Sequence, residues 1–234
     1  GWSHATAAYT YDITFAAVGR LLEILRGDKT VRIFQPCTAM MFGDAALLTD
    51  PKFPQMQNEE TPFHPQSPYA CAKVGAYHLC QFYREVHGMF VSVGILYNHD
   101  SPRRTEEYLL HKICKAAVRI ARGQQETLAL GNLDARVDIG YAREYMEAAH
   151  AMLQLNKPDN FVISTGEAHT VGKIAAYALK DPTGLRITKD PQFYKTGVKS
   201  VLCGDYSKAR VSFGFYPKYR VYDLIDLIME QSCA

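Results

Sequence analysis

Between Tyr11 and Leu96 the chain alternates helical and extended periodicity, and that alternation leaves few folds open. Ile13, Ala16, Ala17, Leu21, Ile24 and Leu25 recur at helical spacing over residues 11 to 26, and Gly27-Asp28 ends the segment. Val31 to Phe34 is then a short run of β-branched and aromatic residues, the signature of a strand. Ser67 to His87 reads as a helix, with Ser67 as its cap, Pro68 in its first turn and Gly88 as its stop. Phe90 to Leu96 is a second strand. Helix, strand, helix, strand in this order predicts an α/β fold with a parallel sheet and crossover helices. Downstream, helices are predicted over 106 to 122, 143 to 155, 171 to 179 and 222 to 231, with strands at 127 to 130 and 161 to 164. Residues 44 to 66 carry Pro51, Pro54, Pro62 and Pro65 and are predicted as loop, as is most of 181 to 205.

On the Ser67 helix, Tyr69 and Lys73 are four residues apart and so share one face, a turn from each other. An ammonium beside a phenol favours the phenolate, so the pairing predicts a lowered tyrosine pKa. Such a pair can act as general acid and base on a hydroxyl or carbonyl.

The 234 residues suit one large domain or two small ones, and a hydrophobic fraction of 47% supplies a core. A net charge of +2 gives no electrostatic case for binding nucleic acid or a membrane. Six cysteines without a C-x-x-C spacing are expected to be buried free thiols in a reducing intracellular compartment, cytoplasm or organelle matrix. The eight histidines show no metal spacing. No apolar run approaches the length of a membrane span.

Seven segments, the tyrosine–lysine pair among them, run in order along the chain. They are Phe42-Gly43, Glu60-Thr61-Pro62-Phe63, Ser67-Pro68-Tyr69 with Ala72-Lys73, Asn98-His99, Ser101-Pro102-Arg103-Arg104, Leu130-Gly131-Asn132-Leu133-Asp134-Ala135 and Ser164-Thr165-Gly166-Glu167. With them the sequence resembles the extended short-chain dehydrogenases, and among these the GDP-mannose 4,6-dehydratase family. The resemblance implies a Rossmann-like, doubly wound parallel sheet over 1–130 and a mixed, substrate-type region over 131–234 that returns in part to the core. No G-x-G-x-x-G or G-x-x-G-x-x-G turn occurs in the 234 residues, so the first βαβ part of such a fold is expected to be absent from them.

The resemblance also implies roles. Thr38 and Tyr69 would bond the sugar hydroxyl, and Tyr69, with Lys73, would remove its proton as hydride passes to NADP. Tyr69, Lys73, His99, Arg103 and Arg104 are expected near the cofactor, with Arg103-Arg104 against a phosphate or a neighbouring subunit. His99 is also expected to bond the backbone. Asn98, Lys112, Arg136 and Lys195 are expected near a GDP-sugar. A family glutamate that takes the proton from carbon 5 and helps water leave carbon 6 corresponds to Met40, whose thioether has no useful basicity. Met40 itself is expected as core filler. Val137 stands where the family has an arginine for the diphosphate, Ile139 where it has tryptophan, and Val198 where it has a glutamate.

These losses replace polar groups with apolar ones and lead to the expectation of a degenerate dehydratase-like protein. It would be impaired in catalysis and kept as a structural or binding subunit, with other protein subunits or copies of itself as partners and NADP, or no cofactor, bound. The alternatives are an active NADP-dependent GDP-mannose 4,6-dehydratase, or related sugar-nucleotide enzyme, and an NADP sensor without turnover.

Overall fold

The computed structural model describes residues 5–43, 56–190 and 201–233, with side chains described to Gln231. The first helical stretch comprises α1 (Ala7–Tyr11), a π-helical segment (Asp12–Ala16) and α2 (Ala17–Leu25). β1 (Arg32–Thr38), α3 (Pro68–His87) and β2 (Phe90–Leu96) follow. Ser67 caps α3 by accepting from the Ala70 N–H at 3.1 Å, and Gly88 closes it at φ 61°, where a side chain would be strained. The predicted strand from Val31 runs on through Gln35-Pro36 to Thr38. A proline is tolerated there because β1 is an edge strand of the sheet.

β1, β2 and β7 (Asn160–Ile163) form a three-stranded parallel sheet in that order, with β2 in the centre as expected. Alternation along β1 shows how the sheet is covered. The Cys37 thiol contacts the Lys73 carbonyl of α3, whereas Arg32 donates to the Leu153 and Leu155 carbonyls at the end of α5 (Ala142–Gln154). Residues 37 and 32 are of opposite parity, so α3 and α5 lie on opposite faces of the sheet. This is doubly wound α/β architecture. The outer edge of β7 is closed by Glu59, whose carboxylate accepts from the Val162 N–H at 2.7 Å.

α2 runs parallel to α3. Phe15 lies over Gly75, Gly19 meets Leu79, and the Tyr83 hydroxyl donates to Glu23, a repeat of four residues along both helices. The apolar stripe expected over 11 to 26 faces the core only in part, through Leu25. Ile13, Leu21 and Ile24 are exposed, while Leu22 is fully buried. The π turn adds a residue per turn and rotates the face that a uniform helix would present.

Two apolar cores result. The first gathers Leu22, Tyr77, Val91, Val93, Ile95, Tyr97, Tyr145, Met152, Phe161 and Val162 around the sheet. The second gathers Leu110 and Ile113 of α4 (Leu109–Ala121), Leu128 of β4 (Leu128–Leu130), Ile174 of α6 (Val171–Leu179) and Leu224, Ile225 and Ile228 of α8 (Val221–Cys233). Short strands stitch the second region: β5 (Arg136–Val137) with β8 (His169–Thr170), β4 with β9 (Ile187–Lys189), and β3 (Asn98–Asp100) with β6 (Ile139–Tyr141). β4 falls within the strand predicted over 127 to 130, whereas the other two- and three-residue strands, and α7 (Ser207–Phe213), carry too few residues to show a period in sequence.

Candidate functional site

The site begins where β1 ends. Thr38 caps a 3₁₀ turn (Ala39–Met41), its Oγ1 accepting from the Met40 N–H at 3.3 Å. Ala39 and Met41 are buried, whereas Met40 between them is 43% exposed and belongs to neither core. Met40 is therefore not core filler. Gly43 passes close to His64: its φ is 48°, and a Cβ there would stand 1.8 Å from the His64 carbonyl oxygen. The His64 N–H donates to the Met41 carbonyl at 2.9 Å, which fixes the loop over the turn.

Tyr69 sits half-buried in the first turn of α3, with Lys73 one turn on and its Nζ 5.8 Å from the tyrosine ring centroid. The ammonium is committed elsewhere: Nζ donates to the Pro36 carbonyl at 2.7 Å. Burial, then the neighbouring Cys37 thiol, raises the Tyr69 pKa above the ordinary phenol range. Burial lowers that of Lys73, against the opposing pull of Cys37 and Cys80. The expectation of a phenol lowered by its lysine is thus not met, because desolvation outweighs a cation turned toward a carbonyl. Cys37 and Cys80 are buried and pushed up to about 12, so both are neutral thiols near pH 7. No described carboxylate acts on Tyr69 or Lys73.

The other described residues of the expected set lie on β3, the segment after it, α4 and β5. Asn98 is exposed on β3. His99 bonds the Tyr97 carbonyl at 2.8 Å, and since a carbonyl only accepts, Nδ1 carries the proton. Burial lowers its pKa. Arg103 is exposed, while the Arg104 guanidinium stacks on Tyr108 at 3.5 Å, with a buried Nε that has no hydrogen-bond partner. Burial lowers the Lys112 pKa on α4, opposed by Asp190. Arg136 Nη2 donates to the Ala168 carbonyl at 2.9 Å, so its side chain braces the chain beside β8. Val137 pairs with His169 and packs against the second core. Ile139 is buried in that core. Lys195 and Val198 lie outside the described residues.

Sequence reading missed Asp138. Its carboxylate is buried and accepts from the Thr165 N–H and hydroxyl at 2.9 and 2.7 Å, and from the Gly166 and Gly204 N–H groups at 3.2 and 3.3 Å. It ties β6 to Ser164-Thr165-Gly166-Glu167. Its flank between two hydrophobic residues, Val137 and Ile139, was the available signal of burial.

A dinucleotide fits these residues only in part. Tyr69 and Lys73 offer a phenol and an ammonium, but the ammonium is engaged by Pro36, and the sequence has no G-x-G-x-x-G or G-x-x-G-x-x-G spacing to seat a pyrophosphate. That part of a dinucleotide would have to be held by other residues. Among the described residues no cluster suited to a metal occurs, and no helix is long and apolar enough to cross a membrane.

The chain is similar to known sugar-nucleotide proteins. GDP-mannose 4,6 dehydratase 2 of Arabidopsis thaliana is 37% identical over 232 residues, which are 95% of this chain and 60% of that protein. The Homo sapiens GDP-mannose 4,6 dehydratase is 34% identical, covering 94% of this chain and 63% of its own length. The chain thus spans about three fifths of these relatives. Among solved structures, RMD from Pseudomonas aeruginosa complexed with NADPH superposes with a TM-score of 0.85 at 18% identity, over 99% of this chain and 77% of that one. dTDP-glucose 4,6-dehydratase from Bacillus anthracis with NAD superposes at 0.80 and 19%, over 94% and 67%. These likenesses bear out the parallel, Rossmann-like α/β fold. The family model for GDP-mannose 4,6 dehydratase matches residues 1–228, and the chain belongs to that family.

Proposed function

We propose that this protein is a GDP-mannose 4,6-dehydratase-like subunit that binds without dehydrating, kept as part of a larger assembly. The observation that carries the reading is Met40: the residue beside Thr38 on the site turn is an exposed thioether, and no described carboxylate acts on Tyr69 or Lys73. Loss of a proton from carbon 5 needs a base within hydrogen-bond reach, and a thioether is none. Val137 supports the same reading, since its side chain packs into the second core instead of offering a fork to a diphosphate. Exposed Ile13, Leu21, Ile24, Phe82 and Val86 on α1 to α3, with the intervening π turn, support an assembly.

A second reading, an active NADP-dependent GDP-mannose 4,6-dehydratase or related sugar-nucleotide enzyme, is favoured by the presence of Thr38, Tyr69 and Lys73. Incubation of the full-length protein with GDP-mannose and NADP separates the two. The first reading expects no 4-keto-6-deoxy product above background; robust product overturns it. If Met40→Glu gains product, the base alone was missing. If it does not, the Val137 and Val198 positions matter as well.

A further inference from the structure

We propose that His111 is a positioning residue: together with Asp100 it clamps the peptide of Ser101, and so holds the Ser101-Pro102-Arg103-Arg104 loop in the form that lays Arg104 on Tyr108. The inference goes beyond the function proposed above and concerns what the loop presents, whether or not the protein turns over a sugar nucleotide.

Both backbone polar groups of Ser101 are taken by side chains of the two elements that flank the loop. Its N–H donates to the Asp100 carboxylate at 2.8 Å, at the end of β3. Its carbonyl accepts from His111 Nε2 at 2.7 Å, in the first turn of α4, and from the Arg104 N–H at 3.0 Å. A carbonyl only accepts, so His111 carries a proton on Nε2. The Arg103 N–H reaches Ser101 Oγ at 3.4 Å, so the backbones of both arginines hang on this one residue. Asp100 and His111 are buried, with Oδ1 and Nε2 3.8 Å apart, so bulk water does not compete for either bond. The other ring nitrogen singles His111 out: Nδ1 is buried without a hydrogen-bond partner. An apolar side chain would fill a buried place on α4 without leaving a polar atom unpaired, so the bond from Nε2 to the loop is what accounts for the imidazole. α4 also starts without a side-chain cap, which leaves its junction with the loop to His111 and to the Tyr108 N–H, 3.3 Å from the Thr105 carbonyl. Arg104 then lies 3.5 Å over the Tyr108 ring with its buried Nε unpartnered, so stacking and the backbone set its direction.

His111→Gln keeps a side-chain N–H and His111→Leu removes it. In the full-length protein, NMR follows hydrogen exchange at the Ser101 and Arg104 amides, with the amides of β2 as reference. His111→Leu should speed both loop amides roughly tenfold relative to β2, whereas His111→Gln should keep them within about threefold of the native rates. The Arg104 Nε–H resonance, shifted by the Tyr108 ring, should move toward that of a free arginine in His111→Leu and stay in place in His111→Gln. The native protein supplies a measurement that depends on no variant folding: its long-range proton–nitrogen spectrum should show the His111 proton on Nε2. Loop amides unchanged in His111→Leu, acceleration that spreads equally to β2, no rescue by glutamine, or a proton on Nδ1 alone would each overturn the inference.

Discussion

The Lys73 ammonium donates to the Pro36 carbonyl at 2.7 Å, while the Tyr69 ring centroid is 5.8 Å from the same nitrogen. Tyr69 is therefore governed by burial. Its phenol should stay protonated through neutral pH and ionise above the ordinary value of 10.0. A raised phenol contributes stability that is complete below its unfolded pKa and is lost as pH rises beyond it. The ultraviolet difference titration between the native protein and Tyr69→Phe isolates this group among the 15 tyrosines. Lys73→Met should leave that titration on the alkaline side and cost about 1 kcal/mol for the lost bond. Ionisation of Tyr69 near neutrality would show that the lysine controls it after all.

Buried and half-buried thiols make a second, alkaline prediction. Cys37, Cys80, Cys114 and Cys203 are pushed from 9.0 up to about 12 by burial. In the unfolded chain they ionise from about pH 9, while the folded chain keeps their protons. The native state then binds more protons, so stability is complete below pH 9 and falls as pH rises toward 12. The slope is about 1.4 kcal/mol per pH unit for each thiol. Cys37→Ala with Cys80→Ala should lower stability at pH 8 through lost packing, yet roughly halve the decline between pH 9 and 10, below the onset of the raised tyrosines. Urea melts at several pH values between 8 and 11 measure both effects. An unchanged slope would count against thiol burial as its source.

Asp138 should be the costliest polar residue to remove in the region beside the second core. Its carboxylate accepts from three backbone N–H groups and one hydroxyl, and Thr165 and Gly204 among these donors are buried. Asp138→Ala is expected to destabilise by about 3–5 kcal/mol, and Asp138→Asn, which keeps one acceptor, by less. Hydrogen exchange at the Thr165, Gly166 and Gly204 amides should accelerate in both variants. Unaltered protection at those three amides would refute the clamp.

Much of this was legible because the large elements obey a period. β2 spans Phe90–Leu96 as the sequence predicts, and α6 spans Val171–Leu179 likewise. The Ser67 cap and Gly88 stop were readable because their chemistry is local. What stayed hidden depends on three dimensions. The π turn at Asp12–Ala16 has no sequence marker, and it rotates Ile13, Leu21 and Ile24 outward. The Lys73 partner is a carbonyl on another element, so spacing along α3 could not reveal it. Met40 looked like filler because methionine usually is, and only its exposure between two buried neighbours separates it from the core. Among the described cysteines two depart from the expected burial for the same reason: Cys71 lies on the outward side of α3 and is exposed, and Cys203 is half-buried, while the side chain of Cys233 lies outside the described residues.

The last prediction concerns association. Ile24 is 79% and Val86 60% exposed, and they lie on neighbouring helices, α2 and α3, that run parallel in contact. Leaving such groups in water forgoes about 25 cal/mol for each Å² of apolar surface that could be buried, a cost that a partner removes. A subunit of an assembly should therefore sediment well above its own mass when purified from its source. Ile24→Asp with Val86→Asp places two charges on that face without touching either core, because both side chains already face outward. The pair should leave the unfolding midpoint nearly unchanged while shifting sedimentation toward the single chain. If the variant still sediments as the native protein does, the apolar face of α2 and α3 is not what holds the assembly. If the native protein is a monomer at micromolar concentration, the subunit reading itself fails, because an obligate interface of this kind does not dissolve on dilution to that range.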